Sequence, residues 1–252
     1  MSSSSGEDYY PLRRFYPVHD VVEDGDMENL RTMLAPRRSK STRMEDGDDY
    51  AANGNDVKDV REEDDFDPSL PHLDLEEKDR EGATPLHVAI MSRQLECVRL
   101  LLEAGVIPGK RLEGSTPAHI ALSLGSVGQH RHFAHEALKL LLAHRADATA
   151  KDDRSRTLLH LAADLGLEDC ATTVLAAPGG AEILDAKERL HYRPLHLAAL
   201  RGHVGILNVL IEAGCDTSSI SMHGYTALHM ACSKAHWAAA RLVFLATLQS
   251  DT

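Results

Sequence analysis

Thr84-Pro85-Leu86-His87-Val88-Ala89 decides the fold, because the chain writes the same phrase four more times. It returns as Thr116-Pro117-Ala118-His119-Ile120-Ala121, Thr157-Leu158-Leu159-His160-Leu161-Ala162, Arg193-Pro194-Leu195-His196-Leu197-Ala198 and Thr226-Ala227-Leu228-His229-Met230-Ala231. The histidines stand 32, 41, 36 and 33 residues apart, and a fixed period of this size is the mark of a stacked repeat architecture. Each phrase is the start of a helix. Thr is a favoured N-cap, Pro beside it sits in the first turn, where its missing N–H costs nothing, and small apolar residues follow at helical spacing.

Beyond each phrase the pattern predicts a turn and a second helix. Gly202 is placed to end the first helix of its unit, as glycine in the left-handed region commonly does. Ile206 to Gly214, Val98 to Gly105 and Ala137 to Leu142 read as second helices. Gly82, Gly114 and Gly224 mark the tight turn of the hairpin ahead of their units.

These phrases resemble the ankyrin repeat, whose signature is T-P-L-H-x-A over about 33 residues. The resemblance implies an all-α solenoid of stacked helix-turn-helix units with β-hairpin loops. Five units fall at 79–110, 111–151, 152–187, 188–220 and 221–252. A degenerate sixth, acting as a polar cap, is read over 14–35 around Pro17-Val18-His19, behind a flexible tail at 1–13. Six histidines (His19, His87, His119, His160, His196, His229) share one register, so their expected role is to hydrogen-bond the neighbouring turn rather than to act as general bases.

Three departures break the period. Residues 36–71 form an insertion that opens basic (Arg37 to Arg43) and turns strongly acidic (Glu45 to Asp67), with too little apolar content to offset its ordering entropy, so disorder is expected. The excess of the His119 unit lies near Ser126 to His135 and reads as a polar loop; its His130-Arg131-His132-Phe133-Ala134-His135 run has no Cys or carboxylate at metal-site spacing, and no metal is expected. Pro178-Gly179-Gly180 marks a widened loop in the His160 unit.

Composition narrows the function. The net charge of −12 argues against nucleic acid as the partner. Four scattered cysteines suit packing in a reducing compartment, and no apolar run suits a membrane span, so the expectation is a cytoplasmic protein, with the nucleus open. Catalytic motifs fail on inspection. Gly105 to Arg111 is one residue short of a phosphate loop, with Arg111 where Ser or Thr belongs, and Lys139 replaces the second histidine of a zinc-protease helix. No enzyme activity and no cofactor are expected.

The resemblance implies a protein-interaction scaffold whose concave groove is lined by hairpin tips and first-helix ends. At those places stand Leu112, Leu124, Arg154, Arg156, Leu165, Arg189, Tyr192, Leu200, Arg201, Met222 and Tyr225. Tyr and Arg are the types enriched at interface hot spots, and the bias falls on the last three units. The expected partner is a protein, with the chain monomeric by itself, although an apolar last helix (Trp237, Val243, Phe244) also suits truncation or a covering partner. Two other functions stay open: a regulatory or inhibitory subunit acting through the acidic insertion, and the targeting portion of a larger enzyme.

Overall fold

The computed structural model describes residues 17–34 and 74–250; the expected tail and the basic-then-acidic insertion lie outside the described residues. Helices come in pairs: α1 (Pro17–Asp24) with α2 (Met27–Leu34), α3 (Pro85–Met91) with α4 (Leu95–Glu103), α5 (Pro117–Leu124) with α6 (Arg131–Ala143), α7 (Leu158–Leu165) with α8 (Glu168–Ala176), α9 (Pro194–Arg201) with α10 (Val204–Glu212), and α11 (Ala227–Ser233) with α12 (Trp237–Ser250). First helices pack on first helices (α1 on α3, α3 on α5, α5 on α7, α7 on α9, α9 on α11), and second helices on second helices. The result is two layers around one continuous core of Leu, Ala, Val and Ile.

The expected hairpins are present as turns, with no strand among the described residues. Two are closed by isolated bridges, Leu112 to Ser115 and Lys151 to Thr157. The others close through two backbone bonds each: Asp79 N to Ala83 O with Gly82 N to Asp79 O, Glu188 N to Tyr192 O with His191 N to Glu188 O, and Ser221 N to Tyr225 O with Gly224 N to Ser221 O. Gly82, Gly114 and Gly224 turn at φ of 83°, 75° and 76°, as their type predicts. In the other two units Ser155 and His191 hold the same left-handed turn at 62° and 59°, a conformation that costs an L-residue about 1–2 kcal/mol.

The repeated histidine ties the stack together. In the His160 unit, Nδ1 accepts the Thr157 backbone N–H at 3.2 Å and the Thr157 hydroxyl at 2.8 Å, while Nε2 donates to the Tyr192 carbonyl of the next unit at 3.0 Å. Nε2 likewise meets Ala83 O from His19, Arg156 O from His119 and Ser219 O from His196. The expected link to the neighbouring turn is therefore found at four of the six histidines; His87 Nε2 is buried with no hydrogen-bond partner. Thr84, Thr116 and Thr157 stand at the N-cap as expected; at Thr84 and Thr157 the histidine three residues on completes a capping box, and in all three the hydroxyl also bonds that ring at Nδ1. Thr226 makes the same box and accepts from His229 N at 3.4 Å.

Two of the irregular segments fold locally. The excess of the His119 unit is helix rather than loop. A 3-10 turn at Gly128–His130 runs into α6, which at 13 residues is longer than α4 and α8 of the adjoining units, each of 9. Arg131 and His135 fasten that added turn to the next unit through Gly166 O and the Thr173 hydroxyl. In the His160 unit the extra residues form a 3-10 turn, Gly180–Ile183, that tucks Ile183 and Leu184 into the core. Gly202 ends α9 in the left-handed region at 76°, as expected, and Gly166 does the same for α7.

Candidate functional site

The hairpin tips of the last three units form one row, joined by backbone bonds from Arg189 N to Arg154 O and from Met222 N to Leu190 O. Arg154, Arg189, Met222 and Tyr225 are exposed along it. The apolar residues at the first-helix ends sit lower: Leu112, Leu124, Leu165, Tyr192 and Leu200 are half-buried, and Leu124, Leu165 and Tyr192 also pack against the core. Tyr192 keeps its ring 6.3 Å from that of His196, while its carbonyl accepts the His160 bond.

Two arginines are committed to the fold. Arg156 Nε and Nη2 both meet Asp152 Oδ2 at 2.8 Å, and the other oxygen of the same carboxylate accepts the backbone N–H groups of Arg154 and Arg156. Asp152 is buried, and these bonds hold its carboxyl below the ordinary carboxylate value against the burial that raises it. Arg156 thus closes its own hairpin, with its guanidinium already taken up by Asp152. Arg201 Nε bonds Asp164 Oδ1 at 2.7 Å across two units and remains exposed, so its pair is screened and weak.

Tyr192, Leu200 and Tyr225 are brought together. They line an open cavity of about 680 Å³, together with Leu228, His229 and Cys232, and the walls are mostly apolar. The volume is in the range of about 300–1,000 Å³ common for ligand pockets, enough for several side chains of a partner. Sequence reading missed Leu228, His229 and Cys232 because each copies a position that is core in the earlier units. The signal available was their place in the last described unit, against which no further unit is described. Cys232, expected to serve packing, is exposed for that reason, whereas Cys215 is buried as expected.

Elsewhere the side chains do structural work. Burial pushes the Cys97 thiol up to about 11 and those of Cys170 and Cys215 to about 12. Burial likewise drives His87 and His160 down to about 4, and lowers His119 and His196. Among the described residues no group of three or more His, Cys, Asp or Glu is placed to hold a metal ion. Nor is any described helix long and apolar enough to cross a membrane.

A solenoid of two-helix units that presents a row of loop tips above an apolar cavity belongs to the class of repeat scaffolds used for macromolecular recognition. Residues 66–152 and 180–249 match the family model for ankyrin repeats in three copies. The chain belongs to the ankyrin-repeat family, whose domains are generally protein-interaction modules. It is 26% identical over 218 residues to the E3 ubiquitin-protein ligase KEG of Arabidopsis thaliana, covering 77% of this chain and 12% of the relative. It is 27% identical over 164 residues to ankyrin repeat domain-containing protein 63 of Mus musculus (62% of this chain, 40% of the relative) and 28% identical over 163 residues to the B-cell lymphoma 3 protein homolog of the same organism (62% and 34%). The chain thus spans well under half the length of these curated relatives.

Proposed function

We propose that this chain is a protein-interaction scaffold without catalytic activity of its own, which takes a helical or extended segment of a partner protein along the tips and cavity of its last three units. The cavity under Tyr192, Leu200 and Tyr225 carries this reading, since an apolar recess beside exposed Met222 (54%) and Tyr225 (53%) is unusual for surface that only meets water. An apolar side chain of the partner enters the cavity as anchor, and Arg154 and Arg189 on the tip row pair with its acidic groups. The test compares proteins captured by the wild-type chain with those captured by a Tyr192→Ala, Leu200→Glu, Tyr225→Ala variant shown by circular dichroism to be folded. Partners lost only from the variant support the groove. Partners kept by the variant but lost on deleting Glu45 to Asp67 refute it and move the function to the acidic insertion.

A second reading, the targeting portion of a larger enzyme, is favoured by one observation: two relatives, KEG and the probable E3 ubiquitin-protein ligase XBOS33 of Oryza sativa, are named as ligases, and the matched segments are 12% and 34% of them. A native transcript reading on past Thr252 into a catalytic domain supports it; one that stops there removes it.

A further inference from the structure

The ridge of hairpin tips carries cations that the fold does not use. Lys78 and Arg80 stand in the hairpin of the His87 unit, Lys151 and Arg154 in that of the His160 unit, and Lys187 and Arg189 in that of the His196 unit; all six are exposed. Each of these units has a described unit on either side, so the exposure belongs to the tips and not to an end of the stack. Among the described residues none of the six is in an ion pair, whereas Arg31, Arg99, Lys139 and Arg201 elsewhere each meet a carboxylate. Arg111 adds an exposed cation between them, its Nη1 held on the carbonyls of Gly114 and Lys151.

The acids of the same hairpins offset this only in part. Asp79 accepts the backbone N–H groups of Glu81 and Ala83, and Asp152 those of Arg154 and Arg156, so both carboxylates are turned into their own turns. Glu188 is half-buried. Glu81, Glu113 and Asp153 are the exposed acids left in the four hairpins at 78–82, 110–115, 151–156 and 187–192. The outer edge of the ridge is therefore cationic on a chain whose net charge is −12.

The complement is in the same chain. Residues 45–67 carry eleven carboxylates against Lys58 and Arg61, a net charge of −9. Asp67 is eleven residues ahead of Lys78, and eleven residues reach at most about 40 Å. Residues 74–78 lead straight into the first of these hairpins, so the acidic stretch joins the fold at one end of the row. Units stacked at about 10 Å put the tip of Arg189 roughly 30 Å from that of Arg80. The whole row is thus within reach, and the tether raises the local concentration of the carboxylates to the mM range. One exposed pair contributes little. A row of unpaired cations facing a run such as Glu62-Glu63-Asp64-Asp65 acts instead through a summed field.

We infer that residues 45–67 lie along this row in the free chain, their carboxylates paired with Lys78, Arg80, Lys151, Arg154, Lys187 and Arg189. An acidic segment of a partner must then displace them to reach Arg154 and Arg189. That consequence rests on the proposed use of the tip row for partner binding; the contact itself does not, since it forms with no partner present.

The experiment couples carboxylates to lysines in the full chain at low concentration with a zero-length carbodiimide, and maps the new amides in the monomer by mass spectrometry. The expected result is links from residues 45–67 to Lys151 and Lys187. Their yield falls roughly fivefold or more in 1 M salt, where the screening length is about 3 Å. Arg154→Glu with Arg189→Glu, both at exposed positions, lowers it by a similar factor. Links confined to Lys40, Lys58 and Lys78 overturn the proposal, because those lysines are near in sequence and the rest of the row is then empty. Links to Lys139 of α6 as frequent as those to the row overturn it too, as do yields that neither salt nor charge reversal changes. If Lys151 and Lys187 are linked only in covalent dimers, the row takes the segment of a second copy and the proposal fails. The salt series on the unaltered chain gives its own reading, so a variant that fails to fold leaves the test standing. Failure in any of these ways leaves the partner reading to its own capture experiment.

Discussion

Mild acid should unfold this protein before its carboxylates titrate. His87 and His160 are fully buried and held down at about 4, first because burial penalises a charged ring. The carbonyl at Nε2 of His160, from Tyr192, pulls the other way and does not make up the difference. In the unfolded chain both rings return to the ordinary value of 6.5 and bind protons that the folded chain refuses. The folded value is the lower one, so stability is full above pH 6.5 and falls as pH drops towards 4. At ~1.4 kcal/mol per unit, each ring withdraws about 2 kcal/mol by pH 5 and about 3 kcal/mol by pH 4. Two rings remove about 4 kcal/mol at pH 5, a large share of the roughly 5–15 kcal/mol a domain possesses. His119 and His196 act with the same sign. Asp152 and Asp216, held below their ordinary 3.8, contribute their loss only in a lower window. For a chain of this size the two rings correspond to a drop of roughly 10 °C in Tm between pH 7 and pH 5. Thermal melts followed by circular dichroism read it directly, and His160→Gln should lower Tm at neutral pH while removing about half of the pH dependence assigned to the pair. A Tm that is flat between pH 7 and pH 5, or a pH slope unchanged in His160→Gln, would refute the reasoning.

Two further outcomes follow from single positions. Ser155→Gly and His191→Gly relieve left-handed turns that Gly82, Gly114 and Gly224 occupy freely in the other units, so each should stabilise by about 0.5–1 kcal/mol in urea unfolding; destabilisation would mean that the side chains make contacts worth more than the backbone relief. Of the four cysteines, three are buried with raised thiols, so a maleimide at neutral pH should label one residue of the folded chain, Cys232, and all four in denaturant; fast labelling of a second thiol would contradict the stack as described.

The architecture was legible because it is written several times over. A histidine recurring in one register, with Thr or Pro ahead and Ala behind, fixes both the helix start and the stacking contact, and the structure supplies the bonds that this register requires. The local chemistry was less legible where two side chains compete for one partner. Arg156 looked like a recognition residue because it lies at a hairpin tip, yet Asp152, four residues back, reaches it first. The added residues of the His119 unit looked like loop because they are polar. They are helix because Arg131 and His135 find acceptors on the adjacent unit.

The surface left for function is set by position in the stack more than by residue type. Leu195 and Leu228 are the same residue at the same register, and one is core while the other borders an open cavity, because α11 lies on α9 and no further first helix is described against α11. No periodicity analysis separates the two, since periodicity is what makes them equivalent. The departures in type appear where the covering stops: Cys232 replaces Ala199, Trp237 replaces Val204 and Phe244 replaces Ile211.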